Sequence, residues 1–290
     1  MLFRSSSRWA DGAFAAVVLA AIAYALWQIV GFVATELSWG DAGEALLLGS
    51  FTLIRVVVLI ALATVVWVPI GVWIGLRPRV AERVQPLAQF LAAFPANIAF
   101  PFAVVAIVRL GLNPRVSRLA QPVVQVLASF PANFLFPLIT AVLLATGISL
   151  NWGGILLMAL GAQWYILFNV IAGASAIPND LREAAANLRL PRGLWWRKLI
   201  LPAIFPSYVT GGITAAGGAW NASIVAEVVS YHGTTLTATG LGAYIAKATS
   251  TGNAGHILIG VAVMSLYVVG LNRLFWRRLY ALAERRYSPT

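Results

Sequence analysis

REAAANLRLPRGLWWRKLILPAIFP, residues Arg182 to Pro206, is the most charged interior stretch of a chain that is otherwise oil-like. It carries Arg182, Glu183, Arg189, Arg192, Arg197 and Lys198 between long apolar runs. Ile177-Pro178-Asn179-Asp180 breaks the helix ahead of it. Asp180 is placed to cap a new helix from Leu181, with Glu183 at the end where a negative charge meets the helix dipole favourably. The run EAAANLRL is strongly helix-forming, and Pro191 stops it, because the residue before a proline avoids the helical region. Arg192 to Pro202 then restarts a helix that returns into apolar sequence. The stretch reads as a short helix on a membrane surface, exposing small alanine side chains that let another protein approach closely. A plain solvated loop with basic residues is the competing reading.

The surroundings decide that the surface is a membrane. Of 290 residues, 60% are hydrophobic and 10% charged, and the mean hydropathy is +0.85; soluble domains carry about 25% charged residues. A span needs roughly 20 apolar residues, so the length holds about six or seven. Cysteine is absent and only His232 and His256 supply imidazole, which argues against disulfides, thiol chemistry and a metal centre. The net charge of +11 would suggest nucleic acid in a soluble protein. Here it reads as basic loops facing the cytoplasm, with no nucleic-acid partner.

Spans are expected near residues 13–34, 51–76, 153–176, 203–230 and 257–274. The basic start and long apolar run of the first one read as an uncleaved span. Residues 35–50 carry Glu36, Asp41 and Glu44 without a basic residue, which suits the outside. Fifteen of the twenty Lys and Arg fall in segments that alternate to one side, placing the N-terminus, the 178–198 segment and the C-terminus in the cytoplasm. Residues 78–101 and 114–137 form an internal repeat, identical at 14 of 24 positions, each copy bearing Phe-Pro-Ala-Asn. Two consecutive spanning copies would break the charge parity. Copy one re-enters and returns, or spans fully, or lies along the interface. Irregular backbone at membrane depth requires protein or a cavity around it. The organisation is then an N-terminal span and external segment (1–50) followed by a core (51–290).

The charged stretch resembles the EAA motif of permease subunits of bacterial ABC importers: E-A-A, three residues, Gly, nine residues, then I-x-L-P. Glu183-Ala184-Ala185 begins it and Leu199-Ile200-Leu201-Pro202 closes it at the right spacing. Arg189 stands where the glycine usually sits, and Leu199 replaces the isoleucine. The arginine implies an altered turn, shifted towards Gly193. From about Leu53 onward the chain resembles the nitrate/sulfonate/taurine branch, especially the C-terminal half of fused, double-length permeases, through stretches 121–138, 160–185, 201–229 and 239–248. The resemblance implies an all-α polytopic helical bundle of the type I importer permease kind. It has about six transmembrane helices plus a re-entrant or extra segment, in the bacterial inner membrane. It also implies a coupling helix that docks on a cytoplasmic ATPase subunit. Glu183 would pair there, Ala184 and Ala185 would permit close packing, and Arg192, Arg197 and Lys198 would act at the rim, with Gly193, Leu201 and Pro202 completing the motif. The implied partners are ATPase subunits, a second permease copy or paralogue, and an external substrate-binding protein.

The chain is not itself the ATPase, since neither Lys198 nor Lys247 stands in G-x-x-x-x-G-K-[ST]. ATP would be bound by a partner, and no catalytic or metal-ligating residue and no resident cofactor is expected. Polar residues in spans are costly and hence functional candidates. Asn133, Gln163, Asn169, Trp220 and Asn221 either line a pathway or make interhelical hydrogen bonds. Arg55 either snorkels or pairs with an acid, Glu227 being its natural partner. The competing functions are a stand-alone secondary transporter or channel, for which the repeat has some appeal, and a membrane scaffold without substrate.

Overall fold

The computed structural model describes residues 8–78, 80, 81, 84 and 135–287. Their helices are α1 (Arg8–Glu36), α2 (Trp39–Gly75), α3 (Phe136–Thr146), α4 (Leu150–Ser175), α5 (Asn179–Asn187), α6 (Arg192–Ala226), α7 (Leu241–Ser250) and α8 (Ala254–Arg285). A hairpin of β1 (Val228–Tyr231) and β2 (Thr234–Thr237) sits between α6 and α7. Among the described residues, α2, α4, α6 and α8 are long and apolar enough to cross a membrane; Gly12–Tyr24 in α1 and Phe136–Thr146 are shorter apolar helices. The path of residues 85–134, with both Phe-Pro-Ala-Asn copies, lies outside the described residues.

Helix α2 begins twelve residues before the expected span. Residues 39–50 of the acidic segment are its first turns, so a boundary at residue 50 falls inside one helix. The cause is a capping box: Ser38 Oγ accepts from the Asp41 N–H at 3.3 Å, and Asp41 returns a bond from the Ser38 N–H at 2.8 Å. At 37 residues and 1.5 Å per residue, α2 is roughly 55 Å long, well beyond a hydrocarbon core of about 30 Å.

Helix α4 is the centre of the bundle. Cβ atoms on Gly71 and Gly75 of α2 would lie 2.8 Å from Val170 and 2.7 Å from Ala174 of α4, and one on Gly211 of α6 would lie 2.7 Å from the Tyr165 carbonyl. Backbones approach closely because these residues lack side chains, as helices without a hydrophobic drive between them require. The contacts run 55 with 151, 67 with 163 and 71 with 170, so α2 and α4 are parallel. Helix α6 runs against both, with Tyr208 Oη 2.9 Å from Thr64 Oγ1. Helix α8 runs with α2, since His256 approaches Asp41 and Tyr267 approaches Ser50. The bundle therefore has a loop end, carrying α5, and a hairpin end. Helix α2 finishes at the first and α4 starts at the second, where α3 packs beside β1 and Leu143 meets Gly153 at the start of α4. Apolar side chains such as Phe14, Val17, Trp27 and Val65 are over 65% exposed, a surface that only lipid solvates without cost.

The hairpin was not expected from the sequence, where residues up to Ser230 read as span. Val228-Val-Ser-Tyr-His-Gly-Thr-Thr-Leu-Thr237 pairs Tyr231 with Thr234 through a two-residue turn. His232 (φ 48°) and Gly233 (φ 79°) both adopt the left-handed region that such a turn demands. His232 is exposed at its tip.

Candidate functional site

The 178–198 segment forms a compact elbow at the loop end. Pro178, not Asp180, is the N-cap of α5, which starts at Asn179; Asp180 lies in its first turn and makes no capping bond. Glu183 and Ala184 face outward. Ala185 turns inward and is 5% exposed, so the exposed small residues are Ala184 and Ala186, one on either side of Glu183. The turn after α5 has not moved to Gly193. Arg189 itself takes φ 48°, while its N–H donates to Ala186 O (3.0 Å) and that of Leu190 to Ala185 O (3.1 Å). That is the helix-ending arrangement that favours glycine at the left-handed position. The motif geometry is thus kept at the motif position, with the strain of an L side chain. Gly193 lies in the first turn of α6, where an added Cβ would meet nothing. Arg182 ties the elbow to the bundle by donating from Nη2 to Leu76 O at 2.9 Å. Behind Arg197 and Lys198 the helix widens by one residue over Trp196–Ile200, where the Leu201 N–H reaches Trp196 O. Pro202 has no N–H for the ordinary ladder.

At the opposite end, Arg55 and Glu227 form a buried pair, Nη1 to Oε1 2.7 Å, at 5% and 0% exposure. Arg55 also donates from Nε to Asn151 O (2.9 Å) and from Nη2 to Asn151 Oδ1 and Thr239 O (both 2.8 Å). Glu227 Oε1 accepts from Thr52 Oγ1 (2.8 Å), and Oε2 from the Ala243 N–H (3.1 Å). Thr52 Oγ1 in turn accepts from Leu241 N, and Asn151 Oδ1 from Thr239 N. A Cβ on Gly240 would fall on Glu227 and Arg55, and one on Gly242 on Ser223 and Glu227. The Thr-Gly-Leu-Gly run thus lies directly against the pair, and α2, α4, α6 and α7 are joined through it. Burying two charges is tolerable only when their hydrogen-bonding capacity is met, and this network meets it. Thr52 and Asn151 were not singled out from the sequence, and Thr239 and Gly240 were read there only as part of the 239–248 stretch.

Residues 99–288 match the family described as binding-protein-dependent transport system inner membrane component. The chain belongs to this family. Among its relatives, the nitrate import permease protein NrtB of Synechococcus elongatus is 29% identical over 139 residues, 48% of this chain and 47% of the relative. The bicarbonate transport system permease protein CmpB of the same organism is 26% identical over 178 residues, 61% of this chain and 50% of the relative. The nitrate import permease protein NrtB of a Synechocystis strain is 25% identical over 238 residues, 82% and 68%. The chain spans about half the length of the first two of these relatives.

The polar residues expected along a pathway in this inner membrane component separate in space. Gln163 accepts from Trp67 Nε1 at 2.9 Å and is an α2–α4 clamp. Trp220 is 1% exposed and stacks on Tyr267 at 5.7 Å, so it belongs to the core between α6 and α8 and does not line open space. Asn221 is exposed on α6, one helical stripe with exposed Thr210 and Thr214. Asn169 of α4 lies beside that stripe, its Cβ 2.9 Å from where a Gly211 side chain would begin. Its Nδ2 donates to Tyr165 O at 2.8 Å. Asn133 lies outside the described residues. At the hairpin end a cavity of about 640 Å³ is bordered by Glu44, Tyr244, Lys247, Asn253 and His256. Burial, with the Asp41 and Glu44 carboxylates as lesser causes, pushes the Tyr244 phenol up to about 12.

Proposed function

We propose that the chain is the membrane-spanning permease subunit of an ATP-driven ABC importer for a small anion or organic oxyanion, coupled to a separate ATPase through the 178–198 elbow. The observation that carries this reading is the outward face of α5. Glu183, Ala184 and Ala186 stand exposed on a short helix fixed at both ends, by Arg182 on Leu76 and by the left-handed turn at Arg189. A rigid, small-residue helix with one carboxylate fits a groove on a partner. Arg192, Arg197, Lys198 and Gly193 flank it, and Leu201-Pro202 lead back into the bundle. The substrate class follows the nitrate and bicarbonate named for the relatives. A second copy or paralogue covers the polar stripe Thr210, Thr214, Asn221 with Asn169, and the pathway lies between the two. An external binding protein meets the hairpin end. The arginines of the loop end support a cytoplasmic position for it and for both termini.

The chain has no cysteine, so Ala184→Cys gives a single reactive site on α5. In membranes of a host carrying the complete transporter, a cysteine-to-amine cross-linker should join it to a subunit with a phosphate-binding loop. If Ala184→Cys reacts fully with a soluble maleimide yet forms no such adduct, α5 does not dock on an ATPase.

A further inference from the structure

We propose that the loop end carries a binding site for one anionic phospholipid, its headgroup phosphate held by Arg77, Arg182 and Arg192. These guanidiniums, from the end of α2, from α5 and from the start of α6, converge on one cavity of about 620 Å³. Trp73, Trp195 and Trp196 form its aromatic walls, and no carboxylate borders it among the described residues. Three positive charges with no facing negative one among the described residues select an anion, and the planar guanidinium fork matches phosphate oxygens in pairs. Two of the three are already held in place. Arg77 lies 4.8 Å over the Trp73 ring and donates to Trp73 O at 3.1 Å, while Arg182 donates to Leu76 O. Each keeps further donors for a ligand.

The apolar half of the site commits the ligand to a lipid. From the cavity, α2 presents Trp73, Ile70, Val66 and Leu62 in one stripe at helical spacing, each more than a third exposed. A free phosphate ion has no use for that stripe; an acyl chain lies along it. Tryptophans beside arginines at the end of a span mark the headgroup level, and basic pockets between helices on the cytoplasmic side suit anionic headgroups. The cavity also borders the coupling elbow, because Arg182 is the residue that fastens α5 to α2. A bound headgroup would therefore brace the elbow against the bundle. The binding itself does not depend on what the chain transports or on an ATPase.

The test is native mass spectrometry of the full chain in detergent with phosphatidylglycerol or phosphatidylcholine added. Wild type should retain phosphatidylglycerol in preference to phosphatidylcholine. Near a membrane surface one arginine is worth about a fivefold change in affinity for an anionic lipid, so Arg77→Gln with Arg192→Gln should weaken retention roughly 25-fold. Arg197→Gln with Lys198→Gln removes the same charge from exposed positions outside the cavity and should leave retention unchanged. Should the first double variant fail to fold, Arg192→Gln alone, at a residue with no structural hydrogen bond among those described, should lose about fivefold. Equal retention of phosphatidylcholine, an equal loss in the exposed control pair, or displacement of the lipid by excess glycerol 3-phosphate would each overturn the proposal.

Discussion

Replacing Glu227 with glutamine should be among the most damaging single-atom changes in the protein. Glu227 is fully buried and its two oxygens accept from Arg55, Thr52 and the Ala243 N–H. An amide nitrogen in place of either oxygen sets donor against donor and leaves the Arg55 charge without its partner. Breaking a buried ion pair in this way costs about 3–5 kcal/mol. In a chain of this size each kcal/mol lowers Tm by roughly 2–4 °C, so a fall of about 6–20 °C is expected. Tryptophan fluorescence during heating of the purified protein in detergent reads it directly. Arg55→Met should be as harmful, because it strands the carboxylate. Arg55→Met combined with Glu227→Met should recover most of the loss, since a buried pair replaced by apolar side chains of similar volume is nearly neutral. A Glu227→Gln variant melting within about 2 °C of wild type, or a double variant no better than either single one, would refute the view that this pair pins the hairpin end together.

Other changes report on other parts of the fold. Arg189→Gly should raise stability by about 1 kcal/mol, because glycine removes the left-handed penalty without disturbing the turn; a lower Tm would show that the arginine side chain matters more than its backbone. Gly75→Val should cost at least about 1–3 kcal/mol, since its Cβ would lie 2.6 Å from Ile171 O, and circular dichroism melts would reveal it. Gly240→Ala should behave like a broken ion pair, because the methyl group lands on Glu227 and Arg55. In a spectrophotometric tyrosine titration, Tyr244→Phe should remove a phenol ionising at about 12. As the folded-state value lies above the ordinary phenol value of 10.0, the contribution to stability falls as pH rises from there towards 12.

The parts of this structure that could be read from the sequence are those where one residue breaks the local rule. Arg55 and Glu227 stand out because a charge in an apolar span must find a partner, and the distance in sequence between them is no obstacle once the spans are antiparallel. The 178–198 elbow stands out because its charges interrupt oil. What surrounds these residues was not visible. Thr52 and Asn151 are ordinary polar residues until the fold brings them to Arg55, and the 239–248 stretch carries only a resemblance until the ion pair fills the space beside Gly240. The hairpin was hidden because Val228 and Val229 continue an apolar run, although the alternation after them and His-Gly at the turn are its signature. The capping box at Ser38 and Asp41 was equally legible in principle, and it makes residues 39–50 about three turns of helix. Arg189 was misread for a different reason. A glycine preference was taken as a glycine requirement, whereas backbone bonds at Ala185 and Ala186 are enough to hold an arginine at φ 48°.

In the proposed function, the exposed face of α5 receives an ATPase. The most direct measurement is co-purification of an ATPase subunit with tagged, detergent-solubilised wild type and with Glu183→Arg, each checked for folding by its melt. Glu183 is exposed, so the substitution should leave the fold intact while reversing the charge that enters the partner groove. Wild type should bring the ATPase down and the variant should not. Equal recovery with both proteins, or none with a folded wild type, would contradict it.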